Sequence, residues 1–147
     1  MNYLLDTNAV VALLRNKPAA VRERYRQAEA AGDYRALSSV VLFELWYGVA
    51  KSSQIQENTE RLRVLLSGDL DLLDFDDEDA RAAGQVRATL ERAGTPIGAY
   101  DLLIAGQALR REMTVVTANT SEFSRVAGLS WQDWTTYAAV RAATRDV

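Results

Sequence analysis

The chain contains no cysteine and no histidine. Without cysteine there is no disulfide framework and no thiolate nucleophile. Without histidine there is no imidazole acid–base pair, no Ser-His-Asp triad and almost no route to a zinc site. Lysine is scarce as well. Of the 17 basic residues only Lys17 and Lys51 are lysine, and the rest are arginine. No apolar run approaches the ~20 residues of a membrane span, and the N-terminus lacks a basic-then-apolar signal pattern. A soluble, cytoplasmic protein with no membrane partner is expected. If the chain is a hydrolase, the toolkit left to it is carboxylates and a hard metal ion.

What is present fits one domain. The 147 residues are 48% apolar and 25% charged. A chain of that length can bury roughly 70% of its unfolded surface. The net charge of −3 argues weakly against broad nucleic-acid affinity but leaves room for a local basic surface.

The chain is organised around its first apolar run. Tyr3, Leu4 and Leu5 lead straight into Asp6 with no polar alternation. Such a run fits a strand buried on both faces of a parallel sheet. In open parallel sheets ligands bind beyond the carboxyl ends of the strands, where Asp6 would sit. Thr7 or Asn8 can cap a following helix. Pro18 suits the first turn of a second helix, whose Arg22, Arg24 and Arg26 are expected on a solvated face. Arg35 to Ser38 is a second strand. Ser38 or Ser39 then caps a helix that is apolar nearly all round and is interrupted by Glu44. A helix over about Gln54 to Ser67 carries Ile55, Leu62, Leu65 and Leu66 as its stripe.

Leu70 to Phe75 reads as a third strand. The acids Asp74, Asp76, Asp77, Glu78 and Asp79 are not assigned to a metal, because acids at a helix start cap it and offset its dipole. A helix from about Asp77 to Ala93 follows. After the break at Gly94-Thr95-Pro96 comes a buried helix holding Asp101, whose helical neighbours are uncharged. Thr114 to Thr117 forms a fourth strand and ends in a polar stretch with Asn119 and Glu122. If the strands run parallel, both residues emerge at the same sheet edge as Asp6. Leu129 to Trp131 suggests a last strand, and Trp134, Tyr137 and Val140 a terminal helix.

Carboxylates gathered at one strand edge repel, and some take up protons. Mg²⁺, or Mn²⁺ in its place, relieves that. Mg²⁺ keeps several waters, so a few carboxylates suffice to hold it. A metal-bound water is easier to deprotonate and can attack a phosphodiester. Asp6, Glu44, Asp101 and Glu122 could meet in this way, the first, third and fourth through strand ends and Glu44 from its helix. Asn119, Thr7 and Asn8 are expected as supporting polar groups.

Four stretches carry a resemblance: Leu4-Leu5-Asp6-Thr7-Asn8, the run from Ser39 through Glu44 to Gly48, Gly94 to Asp101, and Val116 to Phe123. In this order and at these separations they resemble the PIN-domain ribonucleases, and among them the VapC toxins of bacterial toxin–antitoxin pairs. The resemblance implies a three-layer α/β/α sandwich on a central parallel sheet, spanning residues 1–134, with a tail over 135–147. It further implies a Mg²⁺-dependent endoribonuclease acting on RNA, with tRNA the expected target. A homodimer and inhibition by a cognate VapB-like antitoxin are implied too. The family's acids fall on Asp6, Glu44 and Asp101, with Glu122 the usual further one. The chain departs from the family at Ala99, where proline is common, and at Asn119, where aspartate is common.

Two other classes compete. A haloacid-dehalogenase-like phosphatase also places an aspartate after a first apolar strand. It needs a second aspartate two positions on, where this chain has Asn8. A non-catalytic scaffold of the same fold would have no reason to keep all four acids.

Overall fold

The computed structural model describes residues 1–136. Five parallel strands form one sheet, in the order β3-β2-β1-β4-β5. They are β1 (Asn2–Leu5), β2 (Tyr34–Ser38), β3 (Asp71–Leu73), β4 (Thr114–Val116) and β5 (Trp131–Gln132). β1 lies at the centre, as its unbroken apolar run predicts. Tyr3, Leu4 and Leu5 are each 1% exposed or less. Burying a side chain of that size contributes about 1.5–3 kcal/mol.

Seven helices occur among the described residues: α1 (Thr7–Arg15), α2 (Ala19–Ala30), α3 (Ser39–Lys51), α4 (Ile55–Leu66), α5 (Asp77–Arg92), α6 (Ala99–Arg110) and α7 (Thr120–Phe123). With the sheet they make a three-layer α/β/α sandwich. None of them is long and apolar enough to cross a membrane.

The chain order of the strands reverses at β1. One branch leaves it toward β2 and β3, the other toward β4 and β5. The crevice beyond the carboxyl ends of β1 and β4 is therefore a topological switch point, the usual place for a ligand in an open α/β sheet. Register brings the two ends level. Leu5 pairs with Val116, and the Asp6 N–H donates to the Val116 carbonyl at 2.9 Å.

α5 and α6 meet at unusually short range. A Cβ added to Gly106 would lie 2.5 Å from the Ala83 Cα. Only glycine permits that approach, since real Cβ atoms essentially never come so near a backbone.

Several expectations need correction. Asp6, not Thr7 or Asn8, is the N-cap of α1, because its carboxylate reaches the first free N–H while Thr7 already lies inside the helix. Pro18 is the N-cap of α2. The third strand is confined to Asp71–Leu73 and the last one to Trp131–Gln132.

Arg24 is not on a solvated face. It is 7% exposed, donates to the Tyr3 hydroxyl at 2.7 Å and lies over the rings of Tyr3 and Trp134. Its planar, weakly hydrated head suits such a stack. α3 is not buried all round. Val41 and Leu45 face the core, whereas Phe43 and Tyr47 are more than half exposed. Ile55 is 52% exposed as well. Trp134 is buried with its ring edge against Tyr3. Tyr137 and Val140, expected in a terminal helix, lie outside the described residues.

Candidate metal centre at the switch point

Asp6 is the fixed point of the site. It is 3% exposed and has no arginine or lysine partner among the described residues. One carboxylate oxygen accepts from the Thr7 N–H at 2.8 Å. The other accepts from the Thr117 hydroxyl at 2.8 Å and the Asn8 amide at 3.1 Å. Burial pushes its pKa up against those hydrogen bonds, and the charge of Glu44 adds to the rise.

Glu44 comes from α3, whose start is capped by the Ser38 hydroxyl. Its Oε1 accepts from the Thr7 hydroxyl at 2.8 Å. Thr7 thus ties two acids together, donating its N–H to Asp6 and its hydroxyl to Glu44.

Asp101 and Glu122 form the second half. Asp101 lies in the first turn of α6 and Glu122 in α7. The Asn119 amide donates to Asp101 Oδ2 at 2.5 Å and to Glu122 Oε2 at 2.8 Å. The Gly98 N–H donates to Glu122 Oε1 at 3.0 Å. Asp101 is pushed up to about 8, first by burial, then by its hydrogen bond to Glu122 and the charges of Asp6 and Glu122. Glu122 is pushed down, chiefly by that same hydrogen bond. The two titrations are thus linked, with Asp101 raised and Glu122 lowered by their mutual contact.

All four expected acids thus belong to one electrostatic cluster. Asp6 feels Glu44, Asp101 feels Asp6, and Asp101 is bonded to Glu122. Among the described residues, no three acids are gathered tightly enough to make a finished ion cage as they stand. The donor set is nonetheless that of a hard cation: carboxylate and amide oxygens, with no sulfur or imidazole.

The three supporting residues act through the acids. Thr7 orients Asp6 and Glu44. Asn8 is held at both ends of its amide, donating to Asp6 and accepting from the Ala118 N–H at 2.9 Å. Asn119 bridges the second pair. Asn8 thus fills the place where a dehalogenase-like phosphatase needs its second aspartate.

Thr117 was legible only as a strand residue. Its hydroxyl donates to Asp6 and accepts from the Asn8 amide and the Asn119 N–H. The signal for it was the strand pairing itself, since one step beyond Leu5 and Val116 sets Asp6 beside Thr117.

Residues 3–129 match the PIN domain. The chain belongs to the PIN-domain family. Nucleases of this family are generally dependent on a divalent metal, in keeping with the oxygen donors found here. Within the family the likeness is to VapC proteins. The tRNA(fMet)-specific endonuclease VapC of Shigella flexneri is 42% identical over 134 residues, 91% of this chain and 98% of that one. VapBC2 from Rickettsia felis, solved bound to a DNA fragment from its promoter, superposes with a TM-score of 0.84 at 36% identity. That match covers 91% of this chain and 99% of the other. DNA-bound VapBC from Salmonella typhimurium gives 0.83 at 40% identity, over 91% and 98% of the two chains. This PIN domain therefore spans nearly the full length of its relatives.

Proposed function

We propose that this chain is a divalent-metal-dependent endoribonuclease, the toxin of a toxin–antitoxin pair, with tRNA as its substrate. The observation that carries the proposal is Asp6. A carboxylate is buried at the switch point of the sheet, beside three further acids, without a basic partner among the described residues. Such a group is costly unless a cation completes it.

Asp6, Glu44 and Asp101 would hold the ion, with Glu122 as the further acid. Mg²⁺ is the expected ion and Mn²⁺ the alternative, both suited to oxygen donors. When bound, the ion supplies a more acidic water and stabilises charge on the phosphoryl oxygens. The chain's own residues do the rest. Thr7, Asn8 and Thr117 fix the two oxygens of Asp6. Asn119 and the Gly98 N–H fix the second pair. Asp101 keeps a proton at its carboxyl up to about pH 8 in the ion-free protein. Ion affinity is therefore expected to rise with pH across the neutral range.

A VapB-like antitoxin is the proposed inhibitor, supported by the VapBC assemblies of the solved relatives. A homodimer in the cytoplasm belongs to the same proposal. Exposed aromatic rings support self-association: Phe43 and Tyr47 on α3 and Tyr100 on α6, with Phe43 and Tyr100 5.8 Å apart.

The test is cleavage of purified tRNA with and without Mg²⁺. Wild type should cut only with the ion, and Asp6→Asn should not cut although folded. Cleavage that persists in EDTA, or in Asp6→Asn, overturns the metal reading. Light scattering at micromolar concentration reports the dimer.

A further inference from the structure

A groove of about 220 Å³ runs from the acid site along one side of α1. Asn8, Val11, Ala12 and Arg15 line it, the i, i+3, i+4 and i+7 positions of a single helical stripe. Its near end is shared with the site, because Asn8 and Thr117 line the groove and also bind Asp6. Its far end holds Arg15 and Lys17. Seven residues at 1.5 Å per residue put Arg15 about 10 Å along the helix axis from Asn8.

Neither Arg15 nor Lys17 has an ion pair or side-chain hydrogen bond among the described residues. Several other cations are already engaged, Arg35, Arg87, Arg110 and Arg111 in ion pairs and Arg24 in its aromatic stack. The turn that presents the two free ones is fixed. Asn16 closes α1 in the left-handed conformation at φ 58°, which asparagine tolerates better than most residues, and the Lys17 N–H bonds to the Ala12 carbonyl at 3.1 Å. One acid, Asp133, also lines the groove. Its Oδ1 accepts from the Thr135 N–H and hydroxyl. The groove lining thus carries two cations to one anion, in a chain whose net charge is −3.

We infer that this groove is the track for the RNA backbone beyond the cleavage point, with Arg15 and Lys17 holding the phosphates that follow the scissile one. The inference rests on the ribonuclease reading above. Four acids repel a polyanion, so affinity for it has to come from cations outside the cluster. A strand whose scissile phosphate lies at Asp6 must leave the crevice, and this groove is contiguous with the crevice and ends in positive charge.

The experiment measures binding of a fluorescein-labelled single-stranded RNA by anisotropy, using full-length protein with Asp6→Asn so that the strand survives. Adding Arg15→Gln and Lys17→Gln should raise Kd about tenfold. It should also flatten the slope of log Kd against log salt by about 1.4, or 0.7 per lost contact on a single strand. Arg87→Gln, an exposed arginine paired with Glu91 on α5, should change neither. In the cleaving protein the double substitution should raise KM more than it lowers kcat. Unchanged Kd and unchanged slope, with thermal melts showing an intact fold, overturn the inference. So does a result in which the double variant loses a VapB-like C-terminal peptide but keeps RNA, which would make the groove a protein site. If the parent protein neither binds nor cuts RNA, the ribonuclease reading itself falls, a result distinct from those two.

Discussion

Asp6 and Asp79 invite comparison. Both are aspartates at the start of a helix and both are buried, at 3% and 0% exposure. Asp79 accepts hydrogen bonds from Arg110 at 2.8 Å and Arg111 at 2.9 Å and closes a capping box with Asp76. Burial alone would raise its pKa, yet the two arginines and the Asp76 N–H outweigh burial and bring it down to about 2. Among the described residues Asp6 has only neutral donors, and burial drives its pKa up. One aspartate is finished by the protein and serves the fold. The other has no such charge partner among the described residues, and the proposed function gives it one from outside. The arrangement of positive charge, not the density of acids, separates the two clusters.

The sharpest way to break this contrast is to neutralise each aspartate in turn. Asp6→Asn should lower RNA cleavage by at least about 10³-fold, near 4 kcal/mol of barrier. Its melting temperature should hold or rise, because a desolvated charge is removed. Asp79→Asn should do the reverse. Cleavage per folded molecule is kept, while stability falls by about 2 kcal/mol, since the partly exposed arginines reduce the cost seen for fully buried pairs. That is about 4–8 °C in Tm. If Asp79→Asn abolishes cleavage with the fold intact, the division of roles is wrong.

Adding the ion is a smaller perturbation. Mg²⁺ at about ten times its Kd should stabilise wild type by about 1.4 kcal/mol and leave Asp6→Asn unchanged in a urea titration. The pH dependence of stability in EDTA is the finest comparison, at most about 1.4 kcal/mol per pH unit for each group. Asp79 has a folded pKa of about 2 against an ordinary 3.8. Its contribution is present above pH 4 and is lost as pH falls toward 2. Asp101 is raised from 3.8 to about 8. The folded state holds the extra proton between those values, so stability falls as pH rises through that window, with the lowered Glu122 opposing part of the slope. Asp79→Asn should flatten the acid limb and Asp101→Asn the neutral one.

The sequence made the functional half of this comparison readable and hid the structural half. Asp6 was legible because an unbroken apolar run ends on it. Asp101 and Glu44 were legible because each interrupts an otherwise apolar stretch. Asp79 was legible as a helix-start acid, but its burial was not, because Arg110 and Arg111 lie more than 30 positions away. Arg24 was misplaced for a similar reason. Its stacking partners Tyr3 and Trp134 come from the two ends of the domain, and nothing in the local pattern of α2 announces them. Thr117 needed the register of β1 against β4, which periodicity alone does not supply.

The contact between Gly106 and Ala83 has a consequence at a distance. α6 carries Asp101 near its first turn and Arg110 at its last residue, and Arg110 is anchored to Asp79 on α5. Gly106 sits between them as a fulcrum, five residues or about 7.5 Å from Asp101. Even a single methyl group placed there would lever the helix off its neighbour and swing the carboxyl away from Asp6. On the proposed function, alignment of the acids is thus governed in part by a hydrogen atom on a distant turn of the helix, remote from the proposed ion.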